Sequence, residues 1–154
     1  MPVGRQVLGT IGGYLQLSAD GSPVAKVAGI TIDWATVAAV SGSPVTLNDG
    51  TTIAVGEKYL RYGQVVCKIT TGGKYGPYDP AAGDGRAVLT RGACYALNRT
   101  ALAAEMMDEY CEAIEGGRVW RARLIQSEAV AHTLALGPTF AEVVATFPGF
   151  YFVD

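Results

Sequence analysis

The sequence predicts an α+β domain that is mainly β, and three observations lead to this fold class. Glycine supplies 20 of the 154 residues, nearly twice the usual ~7%, which favours tight turns over long helices. Short apolar runs with alternating side chains recur between turn sequences such as Asp20-Gly21 and Asn48-Asp49-Gly50. Charged residues are only 17% of the chain, so much neutral surface is left for a partner to cover.

Residues 1–13 are rich in glycine and offer little to anchor a core. They are predicted to form a flexible N-terminal arm that orders when something binds it. No linker or repeat divides the remainder, so residues 14–154 are predicted to form a single β-rich domain.

The strands are predicted in order from apolar alternation and turn residues. In residues 64–70, Val65, Cys67 and Ile69 fall on one face of a strand, and Val66 and Lys68 on the other. The glycine-rich stretch that follows is predicted to be a hairpin tip leading into a loop over 72–85. The predicted strands are 14–17, 24–27, 30–34 with 37–40, 45–47, 51–55, 59–62, 64–70, 87–89 and 93–97.

One long helix is predicted over residues 100–117. Thr100 is a permitted N-cap, and Gly116-Gly117 supplies the stop. The remaining positions carry acidic residues, which predicts a polar outer face turned to solvent. The apolar stripe recurs at every fourth residue, in Leu102, Met106, Tyr110 and Ile114.

The C-terminal part predicts a strand over 119–125, a short helix and a final strand over 150–153. Thr139 and Glu142 have the spacing of a capping box, which predicts a helix reaching about residue 146. On the predicted strand, Arg121 and Arg123 share one face and Arg118 lies on the other. That arrangement favours an edge exposed to solvent or to a partner over a row of basic residues that binds phosphate groups.

Motifs of ligand binding and catalysis give little support to an enzyme. The stretch 70–76 has no P-loop spacing, and Asp79 and Asp84 are typical turn-formers rather than a calcium loop. No cofactor and no metal site is therefore predicted. The odd number of cysteines, without a CxxC spacing, predicts free thiols in a reducing compartment. The cysteines are Cys67, Cys94 and Cys111, and the single histidine is His132.

Net charge is −2, which gives no field to attract nucleic acid or an anionic membrane. The start of the chain lacks an apolar segment of signal-peptide length, and no run of ~18 apolar residues occurs. The chain is therefore expected to be made in the cytoplasm, with no nucleic-acid or membrane partner.

The loop after residue 72 is a candidate interface because its aromatic and proline residues give contact area at little entropic cost. Two alternatives remain open for its tyrosines: an interface role, or packing back on their own domain. The candidate residues are Tyr75, Pro77, Tyr78, Asp79 and Pro80.

Several segments carry a resemblance to a known family. They are GEKYLRYGQVVCKI (56–69), GKYGPYDPAAGDGR (73–86), TRGACYALN (90–98), GGRVWRARL (116–124) and, more weakly, GPTFAEVVATFPGFYFV at the C-terminus. In order and spacing these resemble tailed-phage head-decoration proteins, the group that includes the lambda head-decoration protein. The stretch GYLQLSADGSPVAKVAGITIDW also resembles the leading half of longer members from siphophages of actinobacteria.

The resemblance implies a compact, barrel- or tulip-like domain with one or two helices. It implies a homotrimer on the outer surface of the virion, at three-fold and quasi-three-fold sites of the expanded head, that stabilises the capsid. It also implies that the arm binds the major capsid protein. The expected arm contacts are Val3, Arg5, Val7, Leu8 and Ile11.

Two other functions remain as alternatives. One is a tail or host-adhesion module that binds a receptor through the Tyr75–Tyr78 loop. The other is a small cysteine hydrolase that pairs one of the three cysteines with His132.

Overall fold

A computed structural model describes residues 24–26, 29–47, 50–103, 111–124 and 137–154. This part of the chain is mainly β, which confirms the predicted fold class. It also contains two 3₁₀ helices, Trp34–Thr36 and Arg121–Arg123, and the α-helix α1, Phe140–Thr146. The strands are β1 Val24–Lys26, β2 Val45–Thr46, β3 Thr52–Ile53, β4 Tyr59–Leu60, β5 Val65–Lys68, β6 Tyr75–Pro77, β7 Cys94–Leu97, β8 Ala101–Leu102, β9 Ala113–Trp120 and β10 Gly149–Val153.

The main sheet has the strand order β1-β9-β7-β5-β6, and its neighbours are antiparallel. The segment after β1 connects the two ends of this order. Cys111 donates its N–H to Ile30 O at 2.8 Å, beside β9. Two bonds flank Ile32, two residues further along: Tyr75 of β6 donates to Thr31 O at 2.9 Å, and Asp33 donates to Tyr75 O at 2.8 Å. The hydrogen-bonded path therefore returns to the segment that follows its first strand, as in a small barrel.

The β5–β7 ladder continues into the short β4–β8 pair in the same register. Val65 pairs with Ala96, and Leu60 pairs with Ala101. Between them the chain turns at Gly63, whose φ is 84° and whose N–H donates to Leu97 O at 2.7 Å. A Cβ at Gly63 would overlap the Arg123 carbonyl oxygen. This position therefore requires glycine for both its backbone conformation and its close approach.

The helix predicted over 100–117 is wrong at its two described ends, 100–103 and 111–117. Thr100 caps no helix; its Oγ1 accepts a hydrogen bond from Tyr62 N–H at 3.3 Å, which joins the two sides of the ladder. Leu102 lies in β8 and Ile114 in β9, whereas 104–110 lie outside the described residues. Non-local strand pairing overrides the local helical pattern here.

The predicted helix stop at Gly116-Gly117 lies inside β9, where this strand changes partners. Gly116 pairs with β1 on one side and with Gly149 of β10 on the other. A Cβ at Gly149 would lie 3.2 Å from Glu115 O, so the backbones of β9 and β10 approach closely. The glycines allow this approach, and β10 runs parallel to β9.

Two further strand predictions differ from the structure. The strand predicted over 119–125 ends at Trp120, and the 3₁₀ helix Arg121–Arg123 follows it. Residues 87–89 form no strand; Val88 is 62% exposed and Val88 N–H bonds to Gly85 O in a turn. Both segments have β-type composition but no neighbouring edge to pair with among the described residues.

Other local predictions are confirmed. β2 and β3 form the predicted hairpin, and β10 is the predicted final strand. Helix α1 begins with the predicted capping box: Thr139 Oγ1 accepts from Glu142 N–H, and Glu142 Oε2 accepts from Thr139 N–H at 2.8 Å.

The sheet is buried on both faces. Val66, Tyr95 and Leu97 belong to an apolar cluster that also contains Ile30 and Ile32 of the closing segment. The opposite face carries a second cluster, which α1 and β10 cover. This second cluster contains Val65, Cys67, Cys94, Ala96, Ile114, Val119, Val143, Phe147 and Phe150. The predicted alternation of Val65 and Cys67 against Val66 is therefore confirmed.

Candidate interaction surface

The segment 73–86 begins as the second strand of a hairpin. Ile69 N–H donates to Lys74 O at 2.8 Å, and the turn between them contains Gly72 and Gly73, both with positive φ. The glycine-rich stretch is thus the predicted hairpin tip. Gly76 is buried, and a Cβ there would overlap Thr36 Oγ1 and Arg86 Cδ. The sequence here is constrained by packing.

Arg86 links the C-terminal end of the segment 73–86 to Pro77, near its start. Its guanidinium donates to the Pro77 carbonyl at 3.2 Å, and its Nε donates to both carboxylate oxygens of Asp84, at 3.1 and 2.9 Å. The side chain of Arg86 is only 12% exposed. The backbone adds Thr70 N–H to Asp84 O at 2.9 Å. The segment is therefore fixed to β5 and is not a free loop.

The Asp84 carboxyl titrates below its ordinary range. Burial opposes this shift, but hydrogen bonds from the Arg86 side chain and backbone lower the pKa of Asp84. The carboxylate stays ionised at neutral pH and keeps its bonds to Arg86.

The predicted interface residues of this segment differ in exposure. Tyr78 is 8% exposed and belongs to the second apolar cluster, so it packs on its own domain. Pro77 is also buried, whereas Tyr75 is half-buried with its ring 5.7 Å from the Tyr95 ring. Asp79 is half-buried and Pro80 is exposed. An interface at this segment stays a prediction. Among its five candidate residues, Pro80 is the exposed one.

Two other groups of predicted site residues lie outside the described residues. They are the arm contacts Val3, Arg5, Val7, Leu8 and Ile11, and the histidine His132.

The three cysteine thiols are buried. Burial raises the pKa of Cys111 to about 11, so this thiol is protonated and unreactive at neutral pH. Cys67 and Cys94 lie together on neighbouring strands, with 2.8 Å between their sulfur atoms. Among residues that the structure describes, no group of three or more His, Cys, Asp or Glu side chains could hold a metal ion.

The most prominent exposed side chains of interface type lie on the outer face of the β9–β10 pair. Tyr151 is 68% exposed and pairs in register with Arg118, which is also exposed. The next pair on this face is Val153 with Trp120, and both are half-buried. The alternate residues, Val119 and Phe150 among them, point into the second cluster. We call Arg118, Trp120, Tyr151 and Val153 the outer ribbon face.

Trp120 has an indole N–H that is buried without a hydrogen-bond partner in the described part of the chain. The Arg123 guanidinium lies over its ring, 5.5 Å from the centroid, and Arg121 lies 4.0 Å from the Phe140 centroid. Arginine stacks on aromatic faces through cation–π attraction. The basic group 118–123 is therefore arranged around aromatic rings, and the prediction that Arg121 and Arg123 share a strand face is wrong because both lie in a 3₁₀ helix.

Sequence reasoning missed two features of these sites. The bond of Arg86 to the Pro77 carbonyl spans nine residues, and only the close Asp84–Arg86 spacing hints at it. The outer ribbon face depends on the pairing of β10 with β9, which joins segments about thirty residues apart in a parallel register that local patterns do not encode.

Comparisons with family models, with curated proteins and with solved structures find no match to this chain. Across the described ranges, every helix is too short or too polar to cross a bilayer.

Proposed function

We propose that this chain is a non-enzymatic structural protein of a phage virion, which binds the outside of the expanded head as homotrimers and stabilises the capsid. The observation that carries this proposal is the outer ribbon face. Trp, Tyr and Arg are the residues that contribute most to binding at protein interfaces, and here they share one exposed face. The sequence resemblance supplies the partner, the major capsid protein.

The proposed trimer is closed. A cyclic trimer buries the same two patches of each subunit and leaves no edge on which further copies add. We assign the outer ribbon face to the contact between subunits.

The arm, residues 1–13, makes the contact with the major capsid protein in this proposal. Three arms that engage together raise the effective local concentration, so each single contact can be weak. Val3, Arg5, Val7, Leu8 and Ile11 would pair as an added strand, in which backbone hydrogen bonds supply affinity.

The state of the thiols favours a structural role over a cysteine hydrolase. A cysteine hydrolase needs a thiolate beside a base, with room for the amide or ester carbonyl of a substrate to reach the sulfur. Cys67 and Cys94 are each 0% exposed and Cys111 is 2% exposed. We therefore propose no catalytic residue, no cofactor and no metal for this chain.

Co-sedimentation with expanded heads tests the proposal. Full-length protein should sediment with expanded heads, and heads carrying it should survive heating or chelation that disrupts bare heads. A variant lacking residues 1–13 should remain a folded trimer and should stay in the supernatant. Retained binding of this variant would contradict the role of the arm.

Negative-stain microscopy of virions labelled with an antibody to this chain separates the proposal from a tail or host-adhesion module. Label over the capsid surface supports the decoration role. Label at the tail tip or fibres contradicts it and supports adhesion. Virions with no label contradict a virion location altogether.

A further inference from the structure

Two cysteines face each other directly across β5 and β7. Cys67 pairs with Cys94 in register. The flanking ladder bonds run from Lys68 N–H to Ala93 O and from Leu97 N–H to Gln64 O, both at 2.9 Å. Because bonded and non-bonded pairs alternate in an antiparallel ladder, the cysteines occupy a non-hydrogen-bonded position. The Cα atoms of such a pair are about 4.5 Å apart, which is within the range that a disulfide spans.

The side chains already point at each other. The two Sγ atoms are 2.8 Å apart, and both residues are 0% exposed within the second apolar cluster. A disulfide has sulfur atoms at about 2.05 Å. The sulfurs therefore need to approach by less than about 1 Å, which small side-chain rotations supply without a shift of the strands.

A groove of about 400 Å³ lies beside Cys94. Val88 and Thr90, which line this groove, also contact the Cys94 sulfur: its Sγ is 3.4 Å from Val88 O and accepts from Thr90 N–H at 3.5 Å. The groove is large enough for a solute of the size of a peroxide, and the Val88–Thr90 turn that lines it contacts the Cys94 sulfur. A local opening of this turn would expose Cys94 to a solute in the groove.

The pKa shifts of the two thiols also favour Cys94 as the one that reacts first. A hydrogen bond from the Cys67 thiol lowers the pKa of Cys94 against the effect of burial, and the Thr90 N–H adds to this. The hydrogen bond with Cys94 and burial both raise the pKa of Cys67. The thiolate of the pair therefore forms on Cys94, and the thiolate is the reactive form.

We propose that Cys67 and Cys94 are a modification site, at which a hydroperoxide oxidises the two thiols to an intrachain disulfide that joins β5 to β7. The Cys94 thiolate attacks one peroxide oxygen, the O–O bond breaks, and Cys94 becomes a sulfenic acid as hydroxide leaves. The Cys67 sulfur then attacks the Cys94 sulfur, the S–O bond breaks, and water leaves with the Cys67 proton. Overall, two thiols lose two protons and two electrons, and one hydrogen peroxide becomes two waters.

The disulfide would enclose the whole 73–86 segment in a covalent loop. Closing a loop of this length restricts the unfolded chain and stabilises the fold. The third thiol, Cys111, is an internal control that should stay reduced. It lies in the other apolar cluster, and its pKa is raised to about 11.

Peroxide titration of the folded, full-length protein tests the proposal. After quenching, remaining thiols are alkylated in denaturant and the protein is examined by intact mass and peptide mapping. The expected product has lost two hydrogens, has one alkylated cysteine at 111, and yields a peptide pair linked through 67 and 94. Its Tm should rise by on the order of 5–10 °C and fall back on reduction.

Two matched variants complete the test. Cys111→Ala should give the same linked peptides, whereas Cys67→Ala should take up oxygen at Cys94 without linkage or a rise in Tm. Three alkylatable thiols after treatment, a linkage through Cys111, or wild-type Cys94 that stops at sulfinic acid would overturn the proposal. If Cys67→Ala does not fold, the wild-type peptide map alone decides between these outcomes.

Discussion

At the scale of single residues, Gly63 and Arg86 have defined structural tasks. Gly63 has a positive φ and leaves no room for a side chain beside the Arg123 carbonyl. Arg86 bonds to Asp84 and to the Pro77 carbonyl, which fixes both ends of one segment. Glycine at a turn could be expected from the sequence. The close approach at 63 could not, because Arg123 is 60 residues away along the chain.

Gly63→Ala should lower the free energy of unfolding by at least about 2 kcal/mol, since it combines backbone strain with steric overlap. Gly56→Ala is the matched control: Gly56 also has a positive φ, of 91°, but nothing lies within 4 Å of its added Cβ. Denaturant unfolding of both variants measures the difference. Equal losses in the two variants would show that the overlap at 63 relaxes freely.

Acid should weaken the Asp84–Arg86 contact. The folded-state pKa of Asp84 lies below its ordinary 3.8, so the contact stabilises the protein above that value. This contribution is lost as pH falls through the lower, folded-state pKa. Asp84→Asn should therefore lower stability at pH 5 and should show a smaller further loss than wild type between pH 5 and pH 2.

Unfolding curves measured across that pH range check this prediction. Asp154→Asn, which removes a carboxylate at the exposed end of the chain, is the control and should follow wild type. A parallel loss of stability in wild type and Asp84→Asn would mean that the ion pair contributes nothing.

At the scale of elements, local signals identified those elements that local interactions form. The capping box at Thr139 begins α1, and the Asn48-Asp49-Gly50 sequence joins β2 and β3. The apolar stripe after Thr100 misled at its two described ends because those residues pair with distant strands: Leu102 with Tyr59, and Ile114 with Ala96. An apolar residue at every fourth position fits a helix, and it also fits a strand whose two faces are both buried. The pattern alone therefore does not distinguish the two.

Thr139→Ala should cost about 1 kcal/mol of stability and lower Tm by roughly 2–4 °C, because α1 loses the acceptor for Glu142 N–H. Thr139→Ser keeps the acceptor oxygen and should remain close to wild type. Thermal unfolding followed by circular dichroism measures both variants. An alanine variant as stable as the serine variant would mean that α1 is held by Val143 and Phe147 packing alone.

At the scale of the whole molecule, the strands follow a closed path and the second face of the sheet is covered. These two features bury many apolar side chains within a mainly β fold. The sequence predicted this class from its glycine content and its short alternating runs. It could not predict the outer ribbon face, since the neighbours Arg118 and Tyr151 come from segments that meet only in the folded chain. It also could not predict that Cys67 and Cys94 would be cross-strand partners, because register depends on the whole ladder.

The proposed assembly gives a prediction for the purified protein. Light scattering should give a mass about three times that of the 16.1 kDa chain, and the double variant Arg118→Ala with Tyr151→Ala should shift it towards one chain. Val55→Ala, which changes a side chain 51% exposed after β3, is the control and should leave the mass unchanged. A double variant that stays trimeric would place the subunit contact elsewhere.

The closure of the barrel by residues 30–33 has a mechanical consequence. In the proposed assembly, a pull on an arm bound to the capsid would reach the pairing of β1 with β9, because residues 1–13 precede β1 in the chain. Ladder hydrogen bonds run across the strands. Tension along the strand axis loads them together, whereas tension across it breaks them one at a time. In the proposed assembly, the direction of that pull relative to β1 would therefore set the force at which the β1–β9 pairing opens, independently of the stability of the protein in solution.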